Sequence, residues 1–139
     1  MAAIENKRLM QAVFEGLAQG NRAPFGQAMA QDIRWTIIGD GDWSGTWEGI
    51  DAVRNDLFGP LFAQFATTYR AKATRLIAED DWVVIESRGD VITKSGKPYR
   101  NTYCYVCRID GGRIREVTEY CDTQLVANAL APPKPAVPA

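Results

Sequence analysis

Histidine is absent from the 139 residues. Without an imidazole, histidine-based triads, histidine metal sites and histidine acid–base catalysis are all excluded. Any proton transfer must use carboxylates, tyrosine, lysine, cysteine or water. Cysteine is sparse, with three in the chain. Cys104 and Cys107 have CxxC spacing, but no second pair accompanies them, and on a strand their side chains would point to opposite faces. Cys104, Cys107 and Cys121 all read as reduced, half-buried strand residues of a cytoplasmic protein. An excess of either charge is also missing. The net charge is −1, which argues against nucleic acid or an anionic membrane as the main partner. No apolar run reaches the length of a membrane span. Glu5, Lys7 and Arg8 occupy the place where a secretory signal would be apolar.

What is present is a hydrophobic fraction of 46%, enough for one domain with one core and no metal or disulfide staple. Periodicity predicts a helix over Ala3 to Gln19, with Leu9, Met10, Val13, Phe14 and Leu17 as its apolar stripe. Gly20-Asn21 ends it, and Asn21 caps a shorter helix with Pro24 in its first turn. Ile33 to Ile38 reads as a strand with Ile33, Trp35 and Ile37 on one face. Gly39 to Gly49 reads as a glycine-rich loop. In it, Trp43 and Trp47 cover either the mouth of a pocket or the end of the core. A helix over Ile50 to Phe58 is broken by Gly59-Pro60, and a last turn runs to Phe65.

From Thr67 onward the pattern changes to period two. Four consecutive antiparallel strands are expected, joined by turns at Glu79-Asp80-Asp81, at Lys94 to Lys97 and at Asp110-Gly111-Gly112. A short helix from Thr123 to Leu130 comes last, capped by Asp122. The fold class is α+β, with helices segregated to one face of a curved antiparallel sheet. The domain runs over 1–130, and the proline-rich tail, 131–139, is expected to be extended or disordered.

Alternation sorts the charged residues. On the strand from Trp82, Glu86, Arg88 and Asp90 share one face, while Ile85, Ser87, Gly89 and Val91 share the other. On the last strand Val117, Glu119 and Cys121 share a face. The strand carrying the arginine and its acids is either half solvated or lines a polar site inside a cavity. A structural ion-pair network is one account of Arg88, Asp90 and Glu119, since cross-strand pairs of opposite charge stabilise a sheet by ~0.2–1 kcal/mol each. Acid–base chemistry is the other.

Several stretches together resemble the SnoaL-like branch of the NTF2-like superfamily. They are Glu86-Ser87-Arg88-Gly89-Asp90, Ser95-Gly96-Lys97-Pro98-Tyr99 through Asn101 to Tyr103, Gly112-Arg113-Ile114, and Glu119-Tyr120-Cys121-Asp122-Thr123. Trp35 and the Gly45-Thr46-Trp47-Glu48-Gly49 segment complete the likeness. The resemblance implies a cone-shaped α+β fold with an apolar pocket, a homodimer formed through the convex side of the sheet, and no metal or organic cofactor. The branch includes polyketide cyclases, ketosteroid isomerases and limonene-epoxide hydrolase. Arg88, Asp90 and Glu119 resemble that hydrolase's acid–arginine–acid set. Tyr105 lies near the place of the isomerase's oxyanion-binding acid, while Ile37 replaces its base.

The resemblance therefore implies Arg88, Asp90 and Glu119 as catalytic residues. Trp35, Trp47, Asn101, Tyr103, Tyr105 and Val117 would bind a small apolar or polycyclic ligand. The expected reaction is carboxylate-assisted proton transfer, by epoxide hydrolysis or isomerisation. A ligand-binding or dimerisation module without turnover is the alternative.

Overall fold

A computed structural model describes residues 2–133, so most of the proline-rich tail, 134–139, lies outside the described residues. Helix α1, Ala2–Ala18, buries Met10, Val13, Phe14 and Leu17, the stripe its helical spacing predicts. Each such side chain contributes about 1.5–3 kcal/mol when withdrawn from water. Gly20 takes the left-handed conformation after the helix, with φ 78°, a position that costs glycine no steric penalty. Helix α2, Ala23–Ala28, starts with the Asn21 side-chain oxygen accepting from the Ala23 amide at 3.0 Å.

Strand β1, Met29–Ile37, is longer than the sequence suggests. The glycine-rich segment after it is not all loop. Gly45–Glu48 forms strand β2, which pairs antiparallel with β1 and sets Trp47 opposite Trp35. The turn between them buries Trp43, whose indole N–H donates to the Ala131 carbonyl at 2.8 Å. Trp43 thus closes the end of the core and anchors the start of the tail.

Gly59-Pro60 does not break the next helical segment. Helix α3, Ile50–Ala52, passes into a π-helical turn, Val53–Phe58, and then into α4, Gly59–Phe62. The Gly59 amide donates to the Arg54 carbonyl, five residues back. In a regular helix the Pro60 ring would strike the carbonyl four residues before it. The widened turn removes that conflict and lets the chain continue.

The rest is sheet. Strands β3 (Arg70–Glu79), β4 (Trp82–Ile92), β5 (Pro98–Tyr99), β6 (Thr102–Asp110) and β7 (Arg113–Cys121) come in chain order. Spatially the sheet runs β2-β1-β7-β6-β4-β3, with β5 paired to β4. β1 lies parallel to β7, and the main meander is antiparallel. Gly111 and Gly112, with φ 61° and 71°, make the β6–β7 turn, as the hairpin signal requires.

A bulge between Ala73 and Arg75 resets the alternation of β3. Arg75 therefore turns outward to pair with Glu86 at 3.0 Å, and Leu76 packs against the core instead. Helix α5, Thr123–Ala129, is capped by Asp122, whose carboxylate accepts from the Gln124 and Leu125 amides. The helices lie on the concave side of a strongly curled half-barrel sheet, and the two together form an α+β cone.

Candidate functional site

The mouth and wall of the cone's hollow are aromatic. Trp35 and Phe58 meet edge to face at 5.2 Å, and Phe25 lies 5.7 Å from both. The contacts continue through Phe62 and Phe65 to Tyr69, each 5.5–5.7 Å from the last. The π turn presents Phe58 to this wall while Val53 and Leu57 stay in the core. The hollow is about 70 Å³ and is also lined by Tyr103, Tyr105, Val117 and Glu119. That is well below the roughly 300–1,000 Å³ of drug-sized pockets. It suits the tip of a ligand, and a bulky one would need the phenylalanines to swing aside.

Glu119 is the acid in this hollow. Residues Val117, Glu119 and Cys121 of β7 face inward, and Tyr105 is the direct cross-strand partner of Glu119. Trp35, on the neighbouring parallel strand, donates its indole N–H to Glu119 Oε1 at 3.1 Å. Among the described residues no cation reaches salt-bridge distance of Glu119. Burial therefore dominates and pushes its pKa up to about 7, although hydrogen bonding from Trp35 and Cys121 pulls the other way. A carboxyl group poised near neutrality can take up and return a proton in the working pH range.

The phenols around it behave differently. Burial raises Tyr69, Tyr103 and Tyr105 well above the ordinary phenol range and Tyr99 to about 12. They stay protonated and can only donate or accept hydrogen bonds. Tyr103 donates to the Tyr99 hydroxyl at 3.1 Å. Tyr69 presses against the backbone of β4, where a Cβ on Gly89 would lie 2.6 Å from its hydroxyl. An inward glycine on β4 thus leaves room for an inward phenol. Among the described residues no group of three or more histidine, cysteine, aspartate or glutamate side chains gathers as a metal cluster would.

The structure separates the expected constellation. Arg88 and Asp90 lie on the outer face of the sheet, exposed, and do not reach Glu119. The register explains this. Ser87 pairs with Tyr103 on the inner face, so their even-numbered neighbours on β4 point outward. Asp90 pairs with Arg100 at 3.0 Å instead. Arg88 has no salt-bridge partner among the described residues and sits opposite Lys72 and Thr102.

Asn101 is also misassigned as a ligand contact. It is fully buried, donates to the Tyr99 hydroxyl and the Asp122 carbonyl, and accepts from the Asp122 amide. Its hydrogen-bonding capacity is spent tying the start of β6 to the end of β7. Trp47, half-buried on β2, packs on the core outside the hollow. Trp35, Tyr103, Tyr105 and Val117 do line it. Sequence reasoning overlooked Phe25, Phe58, Phe62 and Tyr69, along with Arg22, whose guanidinium stands 4.0 Å over the Phe62 ring at the mouth.

Residues 10–117 match the family model described as the SnoaL-like domain. No curated protein sequence matches significantly. Among solved structures, an NTF2-like protein from Burkholderia thailandensis is similar at 23% identity and a TM-score of 0.76, over 91% of this chain and 98% of that one. An epoxide hydrolase of M. tuberculosis, described as LEH-like, is similar at 19% identity and a TM-score of 0.70, over 94% and 92%. TerC, co-crystallised with polyporic acid, is similar at 17% identity and a TM-score of 0.75, over 90% and 97%. At these identities the likeness establishes the fold.

Proposed function

The chain belongs to the SnoaL-like domain family, and from this premise we propose that it is an enzyme acting on a small, mostly apolar molecule by a proton transfer through Glu119. The single supporting observation is the position of this carboxyl: buried among aromatic rings, oriented by Trp35, and carrying a pKa raised to about 7 by burial. The reaction class that best fits one such group is isomerisation of an enolisable ketone. The Glu119 carboxylate would take a proton from the carbon beside the carbonyl. The C–H electron pair would then delocalise to the carbonyl oxygen, where a protonated phenol, Tyr105 foremost, would donate a hydrogen bond. The protonated Glu119 would finally return the proton to the far carbon of the conjugated system. Epoxide hydrolysis by a paired-acid mechanism has less support, because Arg88 and Asp90 stand outside the hollow.

No cofactor is part of this reaction. The proposal extends to a cytoplasmic homodimer. Cys104, Cys107 and Cys121 are unpaired. Across the outer face, Val84 pairs with Val106, with exposed Tyr120 nearby, an apolar strip a second copy could cover. Light scattering coupled to size exclusion would give the subunit number.

The test is proton exchange on cyclohex-3-enone in D2O, monitored by NMR. Wild type should exchange and isomerise it, at a rate rising with pH through about 7. Glu119→Gln should lose about 10²–10⁴-fold. Arg88→Leu and Asp90→Asn should leave the rate unchanged. Equal rates for wild type and Glu119→Gln would overturn the catalytic reading. Binding without turnover would leave a ligand-binding module.

A further inference from the structure

We propose that the mouth of the cone selects organic anions, compact apolar molecules carrying one carboxylate, whose charged end docks at Arg22 and Arg54 while the apolar end enters the hollow. The inference rests on the cavity being a ligand site and adds the chemistry of the molecule that enters it. Outside the hollow lies a second, open vestibule of about 350 Å³. The two share Arg22, Phe25, Phe58 and Phe62, so they form one path. The vestibule carries two arginines and no acidic residue. Neither arginine forms a salt bridge among the described residues. Among the described residues Arg8, Arg70, Arg88 and Arg113 also lack a carboxylate partner; what sets Arg22 and Arg54 apart is that they stand together on the vestibule that leads into the hollow.

Arg22 is also held in place. Its guanidinium rests 4.0 Å from the Phe62 ring centre, a cation–π seat that restricts the side chain before a ligand arrives. Arg54 is placed by the π turn, whose widened loop puts it one turn before Phe58. The small hollow cannot hold a whole drug-sized molecule, so most of a ligand must lie in the vestibule, beside these cations. A planar guanidinium is the group best suited to a carboxylate, through paired N–H donors.

The experiment uses three matched probes: 2-naphthoate, its methyl ester and 2-naphthylmethylammonium. Binding to the full chain is measured by calorimetry, in wild type, Arg22→Gln, Arg54→Gln, the double variant and Arg22→Lys/Arg54→Lys, each first checked for folding by circular dichroism. Wild type should prefer the carboxylate over the ester by about tenfold or more and should disfavour the ammonium probe. The double glutamine variant should lose that preference while keeping ester affinity, and the double lysine variant should retain most of it. Added salt should weaken the carboxylate alone. If the ester binds as well as the carboxylate and neither responds to the substitutions, the anion proposal fails while the cavity reading survives. If none of the three binds to wild type, both fail.

Discussion

Replacing Glu119 by glutamine isolates the cost of keeping a carboxylate in an aromatic hollow. Its pKa is about 7 in the folded chain against 4.5 for the free side chain. The folded state therefore holds this proton more tightly than the unfolded chain does. The associated stability is fully present below about pH 4.5 and is lost as pH rises through about 7. Between about pH 5 and 8 the loss from this one group is about 2–3 kcal/mol. For a chain of this size that is about 5–10 °C in Tm. Glutamine can still accept from Trp35 but cannot ionise. The stability difference between variant and wild type should therefore grow in the variant's favour by that amount across the interval, measured by urea denaturation at closely spaced pH values. A difference that stays flat with pH would refute the claim that burial controls this proton.

Four further outcomes each rest on the surroundings of one residue. Gly89→Ala places a Cβ 2.6 Å from the Tyr69 hydroxyl and 3.0 Å from its ring; it should cost about 1–3 kcal/mol in urea denaturation, partly recovered by Tyr69→Phe. Asn101→Ala leaves the Asp122 amide and carbonyl without their side-chain partners and should cost about 2–4 kcal/mol. Trp35→Phe removes the bond that favours ionised Glu119, so NMR titration should find the Glu119 pKa higher than in wild type. Arg88→Leu should shift stability by no more than about 0.5 kcal/mol, as thermal melts would register.

Much of the fold was legible because apolar spacing survives folding. The α1 stripe, the inward trio of Ile33, Trp35 and Ile37, the Gly111-Gly112 hairpin and the Asp122 cap all arise from local chemistry. Alternation also separated the two faces of β4 correctly. It could not say which face is inside. Ser87 and Gly89 look a poor core beside a charged set that resembles a site. Their inward position makes sense only once Tyr69, distant in sequence, is seen to occupy the space above Gly89. The bulge at Ala73/Arg75 and the π turn depend on partners brought by the tertiary fold, so period-two and helix-breaking rules misjudge both. Glu119 was found by alternation along β7. The phenylalanines around it were missed because an aromatic stripe on a helix looks the same whether it packs a core or frames a hollow.

The π turn has one more implication. It holds a surplus residue, and each residue of a regular helix advances about 100°. Deleting Asn55 would let the segment rewind to ordinary pitch, and the tighter winding would make up the rotation of the lost residue, so the downstream residues would keep their facing. Pro60 would then sit in a regular helix, with its ring against the carbonyl four residues before it. The surplus residue is therefore what lets a proline stand inside this segment, and a single-codon deletion would turn that proline from tolerated to helix-breaking with every aromatic ring retained.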